Sequence, residues 1–247
     1  MFRGIVIDRS QNLVLRGTNI HSIRMDGMNF PQVENVLIEN NHIHDFSRSL
    51  ESKDHADMIQ FRTNKTDKPS RDIVIRDNLL NSGKGAYSQS IFMRNEEVDT
   101  GRSDTEMFYR NVTIENNMII NAHLHGITVG ETDGLIIRRN TVVRNGRSEG
   151  KKKNPALWTP QIRVNKSSRN VLITRNITNK ITGEVGQADW RVTKNYPVQD
   201  LARGKSGFYG QVFDHSVLND PTRPEAFRPQ KGGPLDGADL GARLPVF

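Results

Sequence analysis

The sequence predicts an all-β fold: a single-stranded parallel β-helix of about six to eight coils, with an Asn ladder and an irregular C-terminal cap. Three observations carry this expectation. A nine-residue unit recurs six times, beginning at Asn12, Asn35, Asp72, Asn111, Gly134 and Asn170. Its seventh position is Asn in five of the six copies. A short apolar strand precedes each copy.

Within the unit, as in Asn35-Val-Leu-Ile-Glu-Asn-Asn-His-Ile43, apolar residues alternate with polar ones, which is strand periodicity. The starts lie 23, 37, 39, 23 and 36 residues apart, so a basic coil of 23 residues carries insertions in three copies. Strands this short, divided by Asn and Gly turns with no helical run between them, cannot be βαβ units. They stack as coils, each burying its inner side chains on the next.

The seventh position holds Thr18, Asn41, Asn78, Asn117, Asn140 and Asn176. In stacked coils each amide can donate to the carbonyl of the next, and Asn tolerates the left-handed backbone that a turn needs. The preceding strands are Gly4–Ile7, Ser22–Met25, Met58–Phe61, Ser90–Met93, Gly126–Val129 and Gln161–Val164. Their inward pairs, from Ile5/Ile7 and Ile23/Met25 to Ile162/Val164, are all apolar. The period of two sends Arg24, Gln60, Phe92, Thr128 and Arg163 outward.

With this Asn ladder and its Val-x-Ile-x-x-Asn-x-Ile rhythm, the chain resembles the right-handed parallel β-helices of the pectate-lyase-like superfamily over residues 4–182. The resemblance implies a carbohydrate-active solenoid, a fold that hosts lyases, hydrolases, epimerases, esterases and phage tailspikes. Coils are expected over residues 1–182. Residues 183–247 hold six of the ten prolines and nine of the twenty glycines. They are read as one or two closing coils, in segments 186–190 and 207–213, followed by a tail that caps the last coil.

Composition narrows the chemistry. The 247 residues are 34% hydrophobic, which fits a thin core. The absence of Cys excludes a disulfide scaffold, a thiolate metal site and a cysteine nucleophile. The formal charge of +7 suits a polyanionic partner. No apolar run is long enough to span a membrane, and no nucleic-acid motif appears. Residues 1–8 do not read as a signal peptide. The apolar pattern starts at once, which leaves an upstream domain or an oligomer as candidates to cover the first coil.

Stacking brings distant residues together on the outer face. Counted from the first inward Ile of each strand, the position four before holds Asn19, His55, Tyr87, His123 and Trp158. The position two before holds His21, Asp57, Gln89, His125 and Pro160. The position three after holds Asp26, Arg62, Arg94, Gly130 and Asn165. Insertions 46–57, 62–71, 95–110 and 146–160 lie beside these columns and are expected to wall a cleft. The segment His55-Ala-Asp57-Met-Ile-Gln60 resembles a His-x-Asp-x-Ile-Gln strand found in bacterial β-helix proteins linked to polysaccharide processing.

A uronate lyase must neutralise a carboxylate, take the C5 proton and protonate the leaving oxygen. Arg62 and Arg94 suit the carboxylate. His125 or His123 suits the base, and Tyr87 the acid, or both acid and base. His55 and Asp57 complete the catalytic candidates. Gln60, Gln89 and Arg163 are expected to hold substrate, with Trp158 and Tyr109 as stacking platforms. A hydrolase would pair Asp57 with Asp54, Glu131 or Glu96. The acids of 95–110 are candidate Ca²⁺ ligands, and Lys151–Lys153 could steer a polyanion. The leading expectation is thus an enzyme on an acidic polysaccharide, extracellular or periplasmic, cleaving by β-elimination. The alternatives are C5 epimerisation, hydrolysis, or a non-catalytic, virion-associated tailspike-like binding module.

Overall fold

The computed structural model describes residues 1–49, 51, 56–150 and 155–244. Three parallel sheets of seven strands each run the length of the molecule, one strand of each sheet per coil. The first sheet takes Ile5–Val6, Met28–Pro31, Asp57–Arg62, Gln89–Arg94, His125–Val129, Gln161–Val164 and Ile181–Thr182. The second sheet begins with Gln11–Arg16 and Glu34–Glu39, the third with Asn19–His21 and His42–His44. Every pairing is parallel and joins strands one coil apart. The chain is therefore a β-helix of seven coils. Inward residues such as Phe30, Ile38, Ile43, Phe61, Ile75 and Ile114 are fully buried and form one continuous core.

The Asn ladder is present and longer than the sequence unit implied. Nδ2 of Asn41, Asn78, Asn117, Asn140 and Asn176 each donates to Oδ1 of the next Asn at 2.9–3.0 Å. Asn195 closes the series. Each Nδ2 also donates to a carbonyl in the preceding coil, as Asn78 does to Ile38 at 3.0 Å. A buried amide is tolerable because its donors and acceptors are satisfied in this way.

The left-handed residue of this turn is not the ladder Asn but the residue before it: Gly17, Asn40, Asp77, Asn116, Arg139, Arg175 and Lys194 all have φ between 51° and 67°. The ladder side chain must point inward, so the chain reversal falls one position earlier. A second left-handed column, Asn12, Asn35, Asp72, Asn111, Gly134 and Asn170, explains the Asn/Asp/Gly at the start of each unit.

Three further expectations are corrected. The first-sheet strand of coil 2 is Met28–Pro31, not Ser22–Met25, because Met28 lies between Ile5 and Ile59 in register. Asn29 thus stands in the outward row where Arg24 was expected, Asp26 moves to the row of Asp57, and Pro31 takes its place beside Arg62. Asn19 and His21 belong to the third sheet, paired with His42 and His44. A bulge makes Gln161, rather than Pro160, the partner of His125.

The third correction concerns the tail. Coil 7 uses Trp190–Thr193 and Tyr196–Pro197, within the stretch expected to hold closing coils. Beyond it, the described part of the tail is placed beside the coils rather than over the last one. It runs back along the outer face of the third sheet, burying Tyr209, Val212, Phe213, Phe227 and Leu235 against Leu79, Met118, Ile120, Val143 and Ile177. It reaches coil 3, where Asn81 donates to the Thr222 carbonyl at 2.8 Å. Consecutive apolar residues on these strands leave the outer face apolar, so burial there outweighs closing a coil end.

Candidate functional site

The outer face of the first sheet is a groove between two walls. Residues 82–88, 122–124, 145–150 and 155–160 rise where the third sheet connects to the first. Residues 63–70 and 95–108 rise where the first connects to the second. Three recesses of about 360, 470 and 280 Å³ follow one another along the axis. Adjacent recesses share Arg62 and then Arg94.

At the N-terminal end the floor is a buried polar chain. Asn29 donates to Asp26 at 2.9 Å and to Gln60, and Gln60 donates to Asp57 at 2.6 Å. Asp57 has no exposed surface and Gln60 only 5%. Asp57 therefore serves this network, whereas Gln60 also lines the 470 Å³ recess. His55 and Asp54 lie outside the described residues, as do Lys151–Lys153.

The middle of the groove holds a row of rings. Tyr87 and His123 have centroids 5.1 Å apart, His123 and His125 5.3 Å, and Phe92 meets His125 edge-on at 4.9 Å. Gly150 makes room for this row, since a Cβ there would lie 1.6 Å from Cε1 of Tyr87. The His125 amide donates to Nδ1 of His123 at 3.2 Å, which leaves the His123 proton on Nε2. Nδ1 of His125 contacts Oγ1 of Thr128 at 2.8 Å.

Both imidazoles are held neutral. Burial first, then the charges of His125 and Arg48, take His123 down to about 3. Burial first, then Arg163, takes His125 down to about 4.

The cations divide into two kinds. Arg62 and Arg94 are neighbours in register, as the sequence predicts. However, Arg62 lies 3.9 Å from Glu96 and Arg94 3.0 Å from Asp99, both acids of the helical turn Glu96–Asp99. Glu97 of the same turn is engaged by Arg102, which holds its carboxyl down to about 2. The three acids of this turn thus face guanidiniums, and among the described residues no three acidic or imidazole groups are placed to hold a metal.

Arg163 and Arg48 differ. Both are half-buried and, among the described residues, neither has a carboxylate partner. Arg163 lines the 280 Å³ recess with His125. Arg48 lies over the Tyr87 ring at 5.1 Å, its Nε buried without an acceptor.

Gln89 stands half-buried between Asp57 and the ring row. Trp158 sits at the end of the turn Pro155–Trp158, with the Arg144 guanidinium 5.8 Å from its ring. Tyr109 is no stacking platform: it is fully buried and donates to the Arg94 carbonyl at 2.7 Å. Arg48, Asn29 and Gln161 are the groove residues that sequence reasoning did not select. Asn29 and Gln161 follow from register, but Arg48 lies in a loop without periodicity.

A family model for the right-handed β-helix region matches residues 2–187. The chain belongs to this right-handed β-helix family. The match covers coils 1–6 and the start of coil 7, including the whole ring row. No curated protein matches the chain of this β-helix protein.

Proposed function

We propose that this β-helix protein is an enzyme of the pectate-lyase-like kind that cleaves an acidic polysaccharide by β-elimination. One observation carries the reading: two guanidiniums without carboxylate partners among the described residues, Arg48 and Arg163, flank a row of neutral imidazoles and a tyrosine in a long groove. Arg163 neutralises the substrate carboxylate and so acidifies the C5 proton. Nε2 of His125, with Nδ1 turned to Thr128, takes that proton. The C4–oxygen bond breaks as the C4–C5 double bond forms, and the Tyr87 hydroxyl protonates the leaving oxygen. His123 orients His125 through the amide bond to its Nδ1. Such a substrate implies an extracellular or periplasmic site of action.

The test is ultraviolet absorbance of the new double bond on a panel of uronate polymers. On the polymer that reacts, His125→Ala and Tyr87→Phe are expected to lower turnover by about 100-fold or more while polymer binding persists. Arg163→Ala should lose both. A flat trace on every polymer would refute elimination. An imidazole near 4 is a weak base, and this favours a second reading, a non-catalytic binding groove, in which Arg163→Ala still loses binding, His125→Ala and Tyr87→Phe leave it intact, and there is no turnover to lose.

A further inference from the structure

The outer face of the second sheet carries two charged rows. One runs Arg16, Glu39, Arg76, Glu115, Arg138 in register and alternates in sign at every step. Arg16 and Arg76 both reach Glu39, at 2.5 and 2.6 Å, and Arg138 reaches Glu115 at 2.5 Å. The other row runs Gln11, Glu34, Arg71, Arg110, Asp133, Arg169. Its alternation fails once, where Arg71 and Arg110 are direct neighbours. Arg71 keeps Glu34 at 2.5 Å. Among the described residues Arg110 has no carboxylate partner: Asp133 accepts from Asn170 at 2.7 Å, and Arg110 donates to the Thr105 carbonyl at 3.4 Å. Like charges directly opposite each other on adjacent strands are destabilising.

Beside this defect lies a recess of about 770 Å³, whose rim adds Arg9 and Lys68. The two carboxylates on the rim are already engaged, Glu34 by Arg71 and Glu106 by the Asp104 amide at 3.0 Å. Arg9 also borders the 360 Å³ recess of the groove, so the two concavities meet over one side chain.

We propose that this recess is an accessory anion-binding site that takes a segment of the acidic polysaccharide where it leaves the groove over Arg9. The proposal rests on the polysaccharide reading above. Guanidinium forks one strand apart suit carboxylate or sulfate groups. Among the described residues no aromatic side chain lines the recess, so it offers no stacking platform for a nucleobase.

The test compares wild type with the double variant Arg71→Gln/Arg110→Gln, binding long polygalacturonate or alginate and their trisaccharides at low salt. The double variant is expected to bind the long chain about tenfold more weakly, with trisaccharide binding and turnover unchanged. Equal affinity for the long chain overturns the proposal. The double variant removes both like charges together with the exposed Arg71–Glu34 pair, so the melting temperature in low salt should change little, which separates a binding defect from misfolding. If wild type binds neither polymer, the polysaccharide reading fails. The anion site is then decided by sodium sulfate against sodium chloride at equal ionic strength. A larger sulfate-induced rise in melting temperature for wild type than for the double variant supports the site, and equal rises refute it. Single-stranded DNA bound as tightly as the glycan, and lost in the same variant, would overturn the glycan assignment.

Discussion

Along the third sheet, coils 1–2 and coils 3–6 share one backbone register and present opposite surfaces. In coils 1–2 the outward side chains are Asn19, His21, His42 and His44. Their rings stack, His42 on His44 at 4.0 Å and His21 on His44 at 5.1 Å. His44 bonds Asp45 at 2.7 Å and Asn19 at 2.9 Å. In coils 3–6 the outward positions include Leu79, Met118, Ile120, Val143 and Ile177, and the tail covers them. The inward residues Ile20, Ile43, Leu80, Ile119 and Val142 are apolar throughout. The comparison teaches that inward positions and the ladder specify the coil. Outward positions decide only what each stretch of the face will touch.

The largest expected effect comes from stripping the covered half. Phe213→Ala should cost about 3–5 kcal/mol in urea unfolding, because a fully buried ring leaves a cavity. His42→Ala in the uncovered half should cost less than about 1 kcal/mol. Near-equal losses would mean that the tail is not anchored by this contact.

The ladder sharpens the contrast between the middle and the end of the solenoid. Asn117→Ala is expected to cost about 2–3 kcal/mol, since it strands buried donors of Asn78 and removes two bonds to carbonyls. Asn195→Ala, at the part-buried end of the ladder, should cost about half as much. Equilibrium denaturation of the two variants decides.

The smallest effect is in the pH dependence. His42, like His123 and His125, is held below its ordinary value of 6.5 by burial, His42 to about 4. Between pH 6.5 and 4 the unfolded chain therefore binds protons that the folded chain refuses, and stability falls as pH falls through that window. His42→Gln should flatten part of that slope while leaving stability above pH 7 little changed. An unchanged slope would show that His42 is open to solvent.

Most of the fold was legible because stacking repeats the same burial at the same place. Six units were visible, but the seventh was not: its ladder Asn follows only 19 residues after Asn176, and Trp190 replaces the first Val. The strand of coil 2 was misplaced because Ser22-Ile-Arg-Met25 imitates the alternation. Asp26-Gly-Met-Asn-Phe30 against Asp57-Met-Ile-Gln-Phe61 was the better match. The ring row of Tyr87, His123 and His125 was legible from register alone. The pairing of Arg62 and Arg94 with Glu96 and Asp99 was not, because it depends on how one insertion folds back on the sheet. The apolar runs Leu79-Leu80 and Met118-Ile-Ile120 already signalled a covered outer face.

The ladder also has a direction. Every amide from Asn41 to Asn176 donates toward the following coil, so the series has a donor end and an acceptor end. A coil duplicated in place keeps that sense, accepting from the coil before and donating to the coil after. A coil inserted backwards would not. Lengthening by whole coils is thus a change the backbone accommodates without new chemistry, and each added coil extends the groove by about 4.8 Å. The number of coils then sets the length of the groove itself, a molecular ruler graduated in strand spacings.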